Sequence, residues 1–135
     1  MSNPPMTVEV APQYLADQSS PAEKIYTFAY TITVTNVADV AIQLIARHWL
    51  IHDESGHAQE VKGLGVIGQQ PLLAPGESFR YTSGCRLHAP SGTMHGSYFV
   101  VSETGDRFDV PIPMFALDAD AGTGPLAGAS RVLHR

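Results

Sequence analysis

Gly63, Gly65 and Gly68 stand at the spacing G-x-G-x-x-G. In a dinucleotide-binding turn, glycines at this spacing let the backbone approach a pyrophosphate at a helix N-terminus. That chemistry needs a strand before the glycines and a helix after them. Gly68 is followed by Gln69-Gln70-Pro71, with Pro75-Gly76 close behind, so no helix starts there to supply its dipole. Neither Gly-Lys-Ser nor Gly-Lys-Thr follows, which removes a Walker-type phosphate loop. The spacing therefore predicts a glycine loop that crosses between sheets or bulges at a sheet edge. The alternative is an anion contact by loop amides, a nest, with Lys62 or Arg80 nearby.

His52 and His57 flank Asp53-Glu54-Ser55-Gly56, a run of hairpin-turn residues. Strand pairing around that turn would place the two imidazoles opposite each other. With Asp53 they form a candidate site for a divalent cation, since such ions take imidazole and carboxylate ligands at one point. His48 shares the face of His52 but lies roughly 13 Å along an extended strand, out of reach of the same ion. Cys85 and His88 supply two further ligand types without a second pair. Ser83-Gly84-Cys85 offers hydroxyl and thiol nucleophiles, but no strand-to-helix elbow and no base at a telling distance. The carboxylates fall mainly at turns. These residues predict a protein that is not an enzyme and has no cofactor.

The elements that position these residues read as strands. From Ile25 to Thr35, Tyr26, Phe28, Tyr30, Ile32 and Val34 alternate with Thr27, Ala29, Thr31, Thr33 and Thr35, the period of a half-buried strand. Ile42 to His52, rich in branched apolar residues and carrying the only tryptophan, Trp49, reads as a central strand. Further strands are expected over 7–10, 57–62, 78–82, 94–102 and 107–112, with loops at Ser83-Gly84 and Ala89-Pro90-Ser91-Gly92. The expected fold is an all-β antiparallel sandwich of about seven strands, of immunoglobulin or fibronectin type III kind. If Trp49 faces the core, strict alternation turns Arg47 inward too. A buried guanidinium needs a carboxylate or carbonyl partner, unless a bulge breaks the alternation. An exposed Arg47-His48-Trp49 surface would instead form a binding hot spot.

The chain has 135 residues, one cysteine and a net charge of -5. Its length suits one domain, assigned to 1–117, and a single cysteine permits no internal disulfide. The Ala, Gly, Asp and Ser composition of 118–135 reads as a disordered tail. No segment has the roughly 20 continuous apolar residues of a membrane helix, and no cleavable leader is evident near Met1, so a cytoplasmic protein without membrane insertion is expected. Acidity without a Lys/Arg cluster argues against nucleic acid as partner.

Several ordered stretches are specific enough to compare with known families: Gln43 to Trp49, Gly63 to Pro71, Leu72 to Gly84, Gly92 to Tyr98 and Ile112 to Phe115. Together they resemble the bacterial ApaG family over roughly Val8 to Leu117. The resemblance implies a fibronectin type III-like sandwich, which agrees with the strand reading. Related domains in eukaryotic F-box proteins and a polymerase-delta-interacting protein are regarded as protein-interaction modules. The family also carries a genetic association with cobalt and magnesium tolerance, and no established catalytic residues. The leading expectation is thus an interaction module whose partner is another protein. Its candidate contact residues are Arg47, His48, Trp49, Gly65, Gln69, Gln70, Pro71, Tyr81 and Ser83. A divalent-cation-responsive regulator using His52, His57 and Asp53 is the alternative, and nucleotide or pyrophosphate binding at Gly63, Gly65 and Gly68 ranks behind both.

Overall fold

The computed structural model describes residues 4–120, and most of them lie in strands. In β2 (Tyr26–Asn36), Phe28, Tyr30, Ile32 and Val34 are buried in one row, as the alternation requires. β2 pairs antiparallel with β1 (Met6–Tyr14) on one side and β6 (Ser78–Leu87) on the other, forming a three-stranded sheet. The threonine face of β2 is tied to β6 through hydroxyls, Thr31 to Thr82 at 2.8 Å and Thr35 to Ser78 at 2.7 Å.

The second sheet runs β4 (Ala58–Leu64), β3 (Ile42–Asp53), β7 (Ser91–Ser102), β8 (Arg107–Asp118), with the two-residue β5 (Leu72–Leu73) pairing the start of β3. Every pairing is antiparallel, so the predicted sandwich class holds. Phe28, Ile32 and Val34 from one sheet meet Ile42, Leu44, Trp49, Tyr98 and Val100 from the other in a single apolar core. Among the described residues, the helical pieces are two 3-10 turns, Ala16–Gln18 and Pro21–Glu23, and no helix is long and apolar enough to cross a membrane.

Several strands outrun their expected bounds: β1, expected over 7–10, spans Met6–Tyr14 and passes Pro12 as an edge strand, and β4 reaches Leu64. Ser83-Gly84, expected as a loop, lies within β6, where Gly84 pairs with Ala29 and Ser83 with Tyr30. The long central partner β2 supplies ladder bonds all the way to Leu87, and these outweigh the turn preference of Ser-Gly. β7 starts at Ser91 because Gly92 and Gly96 lie flat against β3, where a Cβ would strike the carbonyls of His52 and His48. β8 continues through Pro111 and Pro113 because it is an edge strand, where a missing N–H leaves no partner unsatisfied. It ends at Asp118, one residue beyond the expected boundary at Leu117, which is itself buried. The rest of the predicted disordered tail, from residue 121 on, lies outside the described residues.

The question posed by Arg47 and Trp49 is answered by a bulge. The register of β3 against β7 shifts between Leu44 and Ala46, leaving Ile45 as the extra residue. Ile42 and Leu44 face the core before it; Trp49 and Ile51 face the core after it. The shift moves Arg47 onto the inward face with Trp49 and sends Ala46, His48 and Leu50 outward.

Candidate functional site

The bulge also builds the glycine loop. The Ile45 carbonyl accepts hydrogen bonds from the Gly65 amide (2.7 Å) and from Gln70 Nε2 (2.9 Å). Gln43 Nε2 in turn donates to the Gln70 carbonyl at 3.0 Å. The loop closes on itself where Val66 and Gln69 exchange backbone hydrogen bonds of 2.8 and 2.9 Å. Ile67 and Gly68, the two residues between them, have φ of 41° and 80°, as in a type I′ turn.

Each glycine of the G-x-G-x-x-G spacing therefore has its own geometric cause. Gly63 lies beside the Arg47 guanidinium, which a Cβ would meet at 2.8 Å from both Nη atoms. Gly65, at φ 67°, faces the Gln69 carbonyl so closely that a side chain there collides with backbone. Gly68 supplies the second positive φ of the turn. The amides of Gly65, Val66 and Gln69 are already bonded to carbonyls, so they do not converge on an anion. Lys62 pairs with Glu60 at 3.9 Å on β4, and Arg80 sits exposed on β6; neither lines the cavity under the loop.

Beneath the loop lies a cavity of about 170 Å³ walled by Tyr30, Arg47, Trp49, Val66, Ile67, Gly68, Tyr81 and Ser83. Arg47 Nη1 donates to the Leu64 and Gly65 carbonyls, 3.0 Å each, which ties the guanidinium to the loop. These carbonyls are the partners that an inward arginine requires. Tyr81 and Tyr98 share a hydroxyl–hydroxyl hydrogen bond beside the cavity. Burial pushes the Tyr81 phenol up to about 12 and raises those of Tyr98 and Tyr30, against the lowering influence of Ser83 on Tyr30 and of Arg47 on all three. All three phenols are thus protonated at neutral pH.

The expected Arg47-His48-Trp49 surface is corrected by this geometry. Trp49 is 2% exposed and stacks edge-on against Tyr30, Tyr98 and Phe115 in the core, so it is no exposed hot spot. His48 points to the opposite face, where Nε2 meets a Glu60 oxygen at 2.6 Å. That hydrogen bond, with the nearby Lys62 charge, holds the Glu60 carboxyl below its ordinary value. Of the remaining candidates, Gly65, Tyr81 and Ser83 belong to the cavity region, Gln69 is exposed at the loop, and Gln70 braces the bulge. Pro71 is half-buried, its carbonyl accepting from the Leu44 amide. Tyr30 escaped the sequence reading because it belongs to the core row of β2, yet it also walls the cavity.

The expected pairing of His52 with His57 does not form. His52 pairs with Ala58, while His57 stays in the turn. His52 stacks on His95 with ring centroids 6.3 Å apart, whereas His57 leans against His88 at 5.2 Å. The hairpin register is shifted by one residue from the expected one, Asp53 and His57 closing the turn through a backbone hydrogen bond of 3.0 Å, and the Asp53 carboxylate organises it from inside. Asp53 Oδ1 accepts from the Ser55 amide (2.9 Å), the Ser55 hydroxyl (2.6 Å) and the His57 amide (3.1 Å), and Oδ2 accepts from the His88 amide (3.3 Å). Burial pushes this carboxyl up, but the hydrogen bonds from Ser55, His57 and His88 outweigh it and hold the group below its ordinary value. Among the described residues, no group of three or more His, Cys, Asp or Glu side chains is placed to share one ion.

On the outer face of the five-stranded sheet, Ala46, His48, Lys62, Leu64, Ser97, Phe99 and Asp109, with Arg47 and Gly63 at its border, line a shallow groove of about 570 Å³. Leu64, Ile67 and Leu72 are 73, 51 and 63% exposed around it and the neighbouring β5. Leu64 stands opposite Ala46, and Leu72 opposite Gln43.

Residues 16–102 match the family model of the ApaG domain. The Protein ApaG of Acidovorax sp. (strain JS42) is 61% identical over 128 residues, covering 94% of this chain and 93% of that protein. The Protein ApaG of Ralstonia nicotianae is 56% identical over 117 residues, covering 87% of this chain and 94% of its own. A crystal structure of an ApaA protein from Bordetella pertussis has a TM-score of 0.82 at 54% identity, covering 84% of this chain and 92% of that one. With a family model spanning most of the chain and relatives matched over nearly their whole length, this chain belongs to the ApaG family.

Proposed function

We propose that this chain is a non-enzymatic, cytoplasmic protein-interaction module that docks an extended segment of a partner protein along β4 and the adjoining outer face. The observation that carries the reading is the clustering of exposed Leu64, Ile67 and Leu72 around the glycine loop. Apolar side chains gathered at one place on a surface mark an interaction site more than the same residues scattered singly. β4 is an edge strand, so one row of its backbone groups is open to main-chain pairing with an added strand. Partner side chains would enter the groove between Leu64 and Phe99, with His48, Lys62 and Asp109 as its polar borders. The bulge and the Ile45 carbonyl clamp hold the loop end of this surface in one shape, which limits the ordering cost of binding.

The test is affinity capture from bacterial extract with a known bait–prey pair run alongside. A specific partner is expected with the native chain and with Val37→Glu, which changes an exposed apolar residue elsewhere. It is expected to be lost with Leu64→Glu and with Leu72→Glu. Recovery of nothing beyond background while the control pair is recovered, or equal capture by all variants, would overturn the reading.

A further inference from the structure

Arg47 is a half-buried cation with no carboxylate within ion-pair distance among the described residues. Its Nη1 donors are satisfied by two carbonyls, while Nη2 and Nε have no hydrogen-bond acceptor among those residues. None of the residues walling the adjacent cavity is acidic, and three of them carry hydroxyls: Tyr30, Tyr81 and Ser83. A half-buried positive charge without a carboxylate partner, beside hydroxyl donors in a space open to solvent, favours an anion.

We propose that this cavity binds a single carboxylate, with Arg47 as counter-ion and the hydroxyls of Tyr30, Tyr81 and Ser83 as further donors. Size and charge decide the class. At about 170 Å³ the cavity is smaller than the roughly 300–1,000 Å³ typical of sites that enclose a whole small ligand, which excludes a nucleotide but admits a carboxylate and the carbons that bear it. One guanidinium supplies one positive charge, matched to a monoanion rather than to a phosphate dianion, and its planar fork suits the planar carboxylate. Either hydroxyl can donate in the Tyr81–Tyr98 hydrogen bond, and the arrangement in which Tyr98 donates leaves the Tyr81 O–H free for the anion. The phenols, held protonated by burial, act as donors across the physiological range. The anion belongs to a small free carboxylic acid or to a polypeptide carboxylate. Arg47 also borders the outer groove, but binding of a small carboxylate needs no partner protein, so failure of the acetate titration and failure of partner capture are distinguishable.

Backbone amide NMR titration with sodium acetate tests the site, with sodium chloride and acetamide as controls. A ligand this small is expected to bind at roughly millimolar Kd. Saturable shifts centred on Gly65 to Gly68 and Ser83 are expected with acetate and absent with both controls. Arg47→Gln is expected to weaken binding at least tenfold. Tyr30→Phe, which removes one hydroxyl and leaves the ring in the core, is expected to weaken it several-fold, and carries the test should Arg47→Gln not fold. Tighter binding of N-acetylglycine than of acetate assigns the site to a polypeptide carboxylate; binding of acetate with exclusion of N-acetylglycine assigns it to a free small acid. Shifts no different from those with chloride, unchanged affinity in the folded variants, or tighter binding of inorganic phosphate than of acetate would each overturn the proposal.

Discussion

The Arg47 guanidinium occupies the space that a side chain at Gly63 would fill, 2.8 Å from both Nη atoms to an ideal Cβ. The first glycine of the G-x-G-x-x-G spacing is thus the cross-strand partner of the cavity's only cation. Gly63→Ala must push Arg47 aside and weaken its hydrogen bonds to the Leu64 and Gly65 carbonyls, an expected loss of about 1–3 kcal/mol. Combined with Arg47→Ala the same substitution is expected to cost almost nothing more, because the obstacle is gone. Urea unfolding of both single variants and the double variant closes this cycle; additive losses would show that Gly63 is needed for another reason.

Gly65 and Gly68 rank differently for physical reasons. Gly65→Ala meets the Gln69 backbone carbonyl, which cannot rotate away, in addition to strain at φ 67°. Gly68→Ala meets only the strain, since nothing lies within 4 Å of its Cβ position. The expected cost is about 1 kcal/mol at Gly68 and distinctly more at Gly65. Equal losses in thermal unfolding, or a larger loss at Gly68, would contradict the loop geometry.

Trp49→Ala and His48→Ala separate two neighbours that the alternation of β3 sends to opposite faces. Trp49 is enclosed by Tyr30, Tyr98 and Phe115, so its truncation is expected to cost about 3–5 kcal/mol. His48 contributes one exposed pair with Glu60, and its loss should change stability by less than about 1 kcal/mol. Chemical denaturation of the two variants provides the comparison.

How far the sequence could be read follows from the range of the forces involved. Alternation in Tyr26 to Thr35 is a local signal, and β2 formed where it pointed. The inward turn of Arg47 was foreseen as a conflict between two rules, but its resolution depends on Ile45, which carries no bulge signature of its own. Ser83-Gly84, expected as a loop, lies inside β6 because ladder bonds from the distant partner β2 override local preference. The His52–His57 pairing failed for a similar reason: the Asp53 carboxylate, bonded to three backbone amides including that of distant His88, holds a turn in which Asp53 and not His52 faces His57. The cavity itself joins residues from β2, β3, β6 and the glycine loop, a juxtaposition that only the packing of two sheets creates.

Asp53 gives a pH signature with a defined sign. Its folded pKa lies below the ordinary value of 3.8, so the carboxylate contributes stability above about pH 4 and loses it as pH falls through the folded pKa. Asp53→Asn is expected to lower stability at pH 7 by about 1–3 kcal/mol. It is also expected to flatten the decline that the native protein shows below about pH 4. Unfolding free energies between pH 7 and pH 2.5 measure both effects, and an unchanged acid slope in the variant would remove Asp53 as their source.

Cys85 makes the last prediction, and it concerns reactivity. Its place in β6 rather than in a loop leaves Cys85 half-buried against the core, with Sγ 3.7 Å from Met94 Sδ, and desolvation pushes its pKa up to about 12. The thiolate is the reactive form, so at neutral pH alkylation by iodoacetamide is expected to run on the order of a thousandfold slower than for an ordinary exposed thiol. In denaturant the rate should return to the ordinary value. Fast labelling of the folded chain, followed by mass spectrometry, would instead show that β6 opens readily at this position. It would also put Ser83, two residues away in the cavity wall, on a mobile strand, and the carboxylate site requires that wall to be rigid.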